Sequence, residues 1–103
     1  MRKLKSNEIA LLKCLLSDTK FSDLNLDDLQ VEEMKDGGMG SLFFIADKQR
    51  SDRKFGTRVA EKQFMDSDNI PILVSLNIDS AGILFELDIW KADFTPLKKY
   101  PAC

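Results

Sequence analysis

The sequence contains no histidine. That removes the commonest general base and the commonest metal ligand. Ser-His-Asp and Cys-His nucleophile systems are excluded outright. Cysteine is scarce, with only Cys14 and Cys103 present, and two thiols cannot fill the four positions of a conventional zinc site. They make no disulfide framework either, and we expect both to be reduced. No apolar run approaches the roughly 18 residues that a membrane span needs. The basic residues 1–5 are not followed by a sufficient apolar stretch, so no signal peptide is read and the expected location is cytoplasmic.

Charge of one sign is lacking overall, since the net charge is −2, but the charges are segmented along the chain. Residues 18–36 carry seven acids and two lysines, and residues 66–93 carry six acids and one lysine. Residues 47–62 run the other way, with six bases and three acids. A nucleic-acid binder usually shows a basic domain overall, which this is not. Two acidic segments suit a basic protein partner.

What the chain does have is a hairpin signature. Over residues 72–79 and 83–90, joined by Ser80, Ala81 and Gly82, one face reads Ile72, Val74, Leu76, Ile78, then Ile83, Phe85, Leu87, Ile89. The other reads Leu73, Ser75, Asn77, then Leu84, Glu86, Asp88, Trp90. Period-2 alternation of this kind means two antiparallel strands with one buried face. With the tip at Ser80 and Ala81, Ile78 faces Ile83, Val74 faces Leu87, Leu73 faces Asp88 and Ser75 faces Glu86. The second strand is expected to continue through Phe94, ending at Pro96, with Leu97 and Tyr100 as anchors of a tail.

Upstream, Ser6 is read as the N-cap of a helix over 7–17, with Glu8 in the first turn and Ile9, Leu12 and Leu16 at helical spacing. Residues 18–28 read as a loop pinned by Phe21, Leu24 and Leu26. Strands are expected over 29–34, 41–46 and 57–65, the last as an edge or bulged strand. Residues 47–56 form a charged loop, residues 66–69 form a turn, and Pro71 opens a strand. Glycine is rare, at five residues, yet three of the five crowd into 37–40, which marks a turn with backbone angles that side chains forbid. The expected fold is α+β: an N-terminal helix packed on an antiparallel meander of about five strands, in two layers and one domain.

Four features could carry chemistry. The turn at 36–40 could cradle a phosphate with backbone N–H groups, but it lacks the Lys-Ser/Thr of a P-loop and leads into a strand pattern. Glu86 and Asp88 point the same way, about 7 Å apart by strand geometry. Paired carboxylates can do acid–base work or hold Mg²⁺, and Asp36, Asp66 and Asp68 could join them. An exposed strand face also carries charge simply for solubility. Trp90, on the same face, is either an interface anchor or core under the helix or tail. Arg50, Arg53, Lys54 and Arg58 read as a phosphate-binding loop or as a solvated one.

Two stretches, Met34-Lys35-Asp36-Gly37-Gly38-Met39-Gly40-Ser41-Leu42 and Glu86-Leu87-Asp88-Ile89-Trp90-Lys91-Ala92-Asp93-Phe94-Thr95-Pro96-Leu97, resemble a family of small bacterial domains of unknown function. The family pattern is a D-G-G-M-G-S-L turn and an E-L-D-x-W-K-x-D-F-x-P-L end. The resemblance implies a fold but no activity. In character, a small, acidic, His-free α+β chain is also similar to immunity proteins of bacterial toxin systems, including contact-dependent growth inhibition. That resemblance implies a cytoplasmic antitoxin, a monomer that forms a heterodimer with a cognate toxin domain, with no cofactor, no metal, no direct nucleic-acid contact and no membrane contact. Glu86, Asp88 and Trp90, then Asp66 and Asp68, then Glu32, Glu33 and Asp36, are the residues expected to meet the toxin's basic cleft. The alternatives are a protein-interaction module unrelated to toxins, self-associating through an edge strand, and a small carboxylate or metal-dependent enzyme.

Overall fold

The computed structural model describes residues 1–45 and 53–103, so Ala46 of the strand expected over 41–46 and most of the basic loop (Lys48 and Arg50 included) lie outside the described residues. The elements are β1 (Arg2–Lys3), α1 (Ser6–Leu16), β2 (Gln30–Glu33), β3 (Leu42–Phe44), β4 (Phe55–Met65), β5 (Pro71–Asp79) and β6 (Leu84–Lys91). The strands form one antiparallel sheet in the order β1-β2-β3-β6-β5-β4. The expected α+β class holds, with six strands among the described residues where about five were expected. The additional strand, β1, is two residues long and too short to show any periodicity.

Helix α1 forms where Leu11, Leu12, Leu15 and Leu16 make one buried stripe. Lys5, one residue before the expected Ser6, occupies the N-cap position, and its N–H donates to Glu8 Oε1 at 2.7 Å. Arg2 holds the same carboxylate from both sides at 2.8 Å. The first strand is thereby tied to the first helical turn. The leucine stripe packs with Val31, Leu42, Phe44, Ile72, Val74, Leu76, Leu87 and Ile89 in one apolar cluster, so the helix covers one sheet face as its pattern implied.

The strand order departs from a simple meander. β4, β5 and β6 follow one another in space, but β6 rather than β4 pairs with β3. The physical reason is legible in the residues. β6 buries Leu84, Leu87, Ile89 and Lys91 and suits the sheet interior, whereas β4 is exposed or half-exposed along its length and suits an edge. β4 also carries the expected irregularity, with register shifts between Phe55 and Thr57 and between Arg58 and Ala60. Gly56 sits at the first, where a Cβ would lie 2.3 Å from the Asp79 carbonyl oxygen.

The β5–β6 register differs from the one read from the alternation. Ile78 opposes Leu84, Leu76 opposes Leu87, Val74 opposes Ile89, Ser75 opposes Asp88 and Leu73 opposes Trp90. A bulge opposite Asn77 and Ile78 absorbs one residue of β6. Leu84 therefore goes into the core in place of Ile83, and Phe85 lies against Phe43 with ring centroids 6.3 Å apart. At the tip, the Asp79 carboxylate accepts the N–H groups of Ala81 and Ile83 at 2.9 and 3.0 Å.

β6 stops at Lys91 rather than Phe94. Phe94 adopts a left-handed backbone (φ 63°), and Asp93 accepts the Thr95 N–H and hydroxyl. The tail then returns over the sheet end on Leu97 and Tyr100, which pack against the core as expected, and Pro101 is buried. This path brings Cys103 to the helix. Contrary to the expectation of two free thiols, Cys14 and Cys103 form a disulfide, with Cα atoms 6.3 Å apart. Among the described residues no helix is long and apolar enough to cross a membrane.

Candidate recognition surface

The pleat divides β6 into two sets. Leu87, Ile89 and Lys91 turn inward, and Glu86, Asp88 and Trp90 turn outward. The ladder places cross-strand neighbours beside them. One row runs Glu32, Phe43, Glu86, Asn77, Arg58 from β2 to β4. A second runs Asp88, Ser75, Glu61, and a third Trp90, Leu73, Gln63. Asn77 Nδ2 donates to Glu86 Oε1 at 3.3 Å. Arg58 pairs with Glu61, which leaves Glu32, Glu86 and Asp88 as the carboxylates of this face among the described residues.

Helix α1 and the tail do not cover these rows. Trp90 is 42% exposed, Phe43 38% and Phe94 67%, which decides Trp90 in favour of the open face rather than the core. Trp90 and Phe94 meet edge-on at 5.8 Å. Beside Trp90 lies a shallow hollow of about 220 Å³, lined by Gln63, Pro71, Ile72, Leu73 and Ala92. An aliphatic side chain of a partner fits a space of that kind.

The other candidate residues are placed elsewhere. Asp66 is buried and saturated: it accepts the N–H groups of Lys98 and Lys99 at 2.9 Å each and lies 3.0 Å from Lys91 Nζ. Those tail N–H bonds, Lys98's above all, hold its carboxyl far below the usual carboxylate range. Asp68 pairs with Lys91 Nζ at 2.7 Å. Burial works against the Lys91 ammonium, but Asp68 and Asp66 outweigh it and the group stays charged above its ordinary range. The sequence signal for this cluster is the inward parity of Lys91 together with the two acids in the turn that faces it. Glu33 stands at the sheet margin, 3.7 Å from Arg2.

Asp36 accepts the N–H groups of Met39 at 3.1 Å and Ser41 at 2.8 Å. Burial raises its carboxyl pKa, but hydrogen bonds from Ser41 and Met39 outweigh this and hold it below the usual value. An anion cradle needs such N–H groups free, and here the chain's own carboxylate occupies them. Gly37, Gly38 and Gly40 all have positive φ, and a Cβ on Gly38 would lie 3.1 Å from Pro96. The glycines thus serve a tight turn packed against the tail.

Arg53 is a clamp rather than a solvated phosphate ligand. Its guanidinium reaches Asp79 at 2.9 Å and the carbonyls of Phe44 and Leu84 at 2.6 Å each, and it stacks 4.9 Å above the Phe85 ring. It bridges the ends of β3 and β6 where their ladder stops. Asp36, Asp66 and Asp68 do not join Glu86 and Asp88, and among the described residues no three carboxylate or thiol side chains converge on a cation site.

The family model of a domain of unknown function, DUF6984, matches residues 1–101, and the chain belongs to that family. No curated protein and no solved structure matches it.

Proposed function

We propose that this DUF6984 domain is a recognition protein that neutralises a basic protein partner, namely an immunity protein that covers the nucleic-acid cleft of a cognate bacterial toxin with its outer sheet face. The observation that supports this reading is the open face itself: Asp88 is the next outward residue of β6 from the exposed Trp90 and its apolar hollow, and Glu86 and Glu32 lie farther along the same face. Carboxylates there would pair with the Lys and Arg side chains a nuclease uses for phosphates. Trp90 would supply the desolvated anchor, and the hollow would receive an apolar side chain. The acidic, His-free composition supports the toxin part of the reading by its likeness to immunity proteins.

The test is a pull-down and calorimetric titration with the C-terminal domain of whatever protein is encoded immediately upstream of this chain. Glu86→Lys with Asp88→Lys should weaken binding on the order of 100-fold while circular dichroism shows the domain still folded. Parental affinity in the folded double variant would remove this face from the interface.

A second reading has its own observation. β4 is an edge strand of 11 residues whose Phe55 and Met65 are 57% and 63% exposed. Strand-to-strand self-association along it would make the chain a dimer. Sedimentation of the isolated chain as a dimer that Val59→Pro abolishes would favour that reading.

A further inference from the structure

The Cys14–Cys103 disulfide lies on the helix side of the molecule, apart from the outer sheet face. Its two sulfurs have different surroundings. Cys14 is half-buried on α1, and Lys62 of β4 places its ammonium 3.4 Å from the Cys14 sulfur. Cys103 is exposed. The tail that carries Cys103 has other attachments. Lys98 and Lys99 bond Asp66, Leu97 N–H donates to the Gly38 carbonyl at 3.1 Å, and Lys91 Nζ reaches the Pro96 carbonyl at 3.3 Å. Leu97 and Tyr100 pack on the core. The disulfide can therefore open while the tail stays docked as far as Pro101.

We propose that this disulfide is an exchange site for small thiols of the glutathione class, with Cys103 taking the adduct and Cys14 acting as the leaving and resolving thiolate. The incoming thiol loses its proton to solvent, and the thiolate attacks the exposed Cys103 sulfur. Its electron pair forms the new S–S bond. The Cys14–Cys103 bond breaks, and that pair departs on Cys14 as a thiolate beside the Lys62 ammonium. The incoming sulfur is oxidised as Cys14 is reduced, so no further oxidant is needed. A cation next to the leaving sulfur lowers its thiol pKa, and a lower leaving-group pKa speeds departure. The reverse step has the Cys14 thiolate attack Cys103 and expel the small thiol.

The test uses the full chain in its oxidised form, mixed with reduced glutathione, quenched in acid and read by intact mass and tryptic mapping. Trypsin cuts after Lys13, Lys20 and Lys99, so Cys14 and Cys103 fall in separate peptides, 14–20 and 100–103. Glutathione should appear on 100–103, with Cys14 free to alkylation. Lys62→Met should form the adduct about threefold more slowly, because the leaving Cys14 sulfur loses its neighbouring ammonium, and Lys62→Arg should keep the parental rate. Lys62 is exposed, so both variants should melt as the parent does. An adduct on Cys14, a Lys62→Met rate equal to the parent's, or no adduct with the folded chain would each overturn the proposal.

Discussion

Ser41→Ala is a one-atom deletion whose effect can be worked from two hydrogen bonds. The Ser41 hydroxyl accepts the Ile89 N–H at 2.9 Å and donates to the Ile89 carbonyl at 3.2 Å. The side chain stands in for a ladder partner just before β3 begins, so it completes the pairing of β6 with a single residue. Ser41 is 2% exposed and Ile89 1%, so water does not reach these groups without displacing core. Removing the oxygen leaves a buried donor and a buried acceptor without partners, each worth roughly 1–3 kcal/mol. The alanine Cβ occupies the place of the serine Cβ, so no further apolar burial offsets the loss. We expect a destabilisation of about 2–6 kcal/mol, a large part of the roughly 5–15 kcal/mol a domain of this size has. The melting temperature should fall by about 8 °C or more, taking about 4 °C per kcal/mol as the low end for about 100 residues. Urea unfolding followed by Trp90 fluorescence and far-ultraviolet circular dichroism should show a lower midpoint at unchanged slope. Ser22→Ala, at an exposed position, should stay within about 0.5 kcal/mol of the parent. A Ser41→Ala midpoint as close to the parent as that control would refute the claim that the hydroxyl completes the β6 pairing.

Two further perturbations test other parts of the fold. Glu8, Asp36, Asp66 and Asp79 are all held below their ordinary values of 4.5 and 3.8 in the fold, so the unfolded chain binds more protons in acid. Their stabilisation is complete above the unfolded values and is lost as the pH falls through the folded ones. Lys91 and Tyr100 are raised above 10.5 and 10.0, so their contribution is complete below those values and lost as the pH rises beyond them. The melting temperature should thus be flat from about pH 5.5 to pH 9 and fall on both sides, and a rise between pH 5 and pH 3 would contradict the carboxylate assignments. Gly56→Ala puts a Cβ 2.3 Å from the Asp79 carbonyl oxygen, which is backbone and cannot swing away. The start of β4 should lift from β5 at a cost of about 1–3 kcal/mol, and a parental melt would show that the strands tolerate the spacing.

The helix, the turns and the principal hairpin were legible because each is announced by local chemistry: a leucine stripe, crowded glycines, period-2 alternation. The missed features depend on contacts between distant parts of the chain. The bulge at Phe85 is one. Nothing between Leu84 and Glu86 signals an extra residue, and only the packing of Leu84 in the core and Phe85 on Phe43 selects that register. The place of β6 beside β3 is another, since local pattern says which strands are apolar but not which neighbour each takes. The Cys14 and Cys103 pair spans 89 residues and forms only because the tail turns back at Phe94 and docks on Asp66. Of the candidate site, the outward set Glu86, Asp88 and Trp90 was legible from parity. Asp66 and Asp68 look equally available in the sequence, and only the inward Lys91 reveals why they are not.

The two stretches that first suggested a family meet in space. Gly38 packs on Pro96, Gly40 on Leu97 and Ile89, Ser41 bonds Ile89, and the Met39 sulfur accepts the Lys91 N–H at 3.3 Å. Asp36, the glycines, Ser41, Leu87, Ile89, Lys91 and Pro96 are therefore employed in joining the turn, the central strand and the tail. Such residues would be retained by any chain keeping this fold, whatever it binds. The same argument separates Glu86, Asp88 and Trp90 from their neighbours. They alternate with Leu87 and Ile89 along one strand, yet helix and tail leave them open, and folding alone gives Trp90 no reason to be an exposed tryptophan beside an apolar hollow. A substitution scan along β6 should therefore show period 2 in two different readouts: stability at Leu87, Ile89 and Lys91, and partner binding at Glu86, Asp88 and Trp90. Stability losses at every position would mean that the outer face is buried in the folded chain, and binding losses confined to the inward set would mean that the partner reads something other than this sheet face.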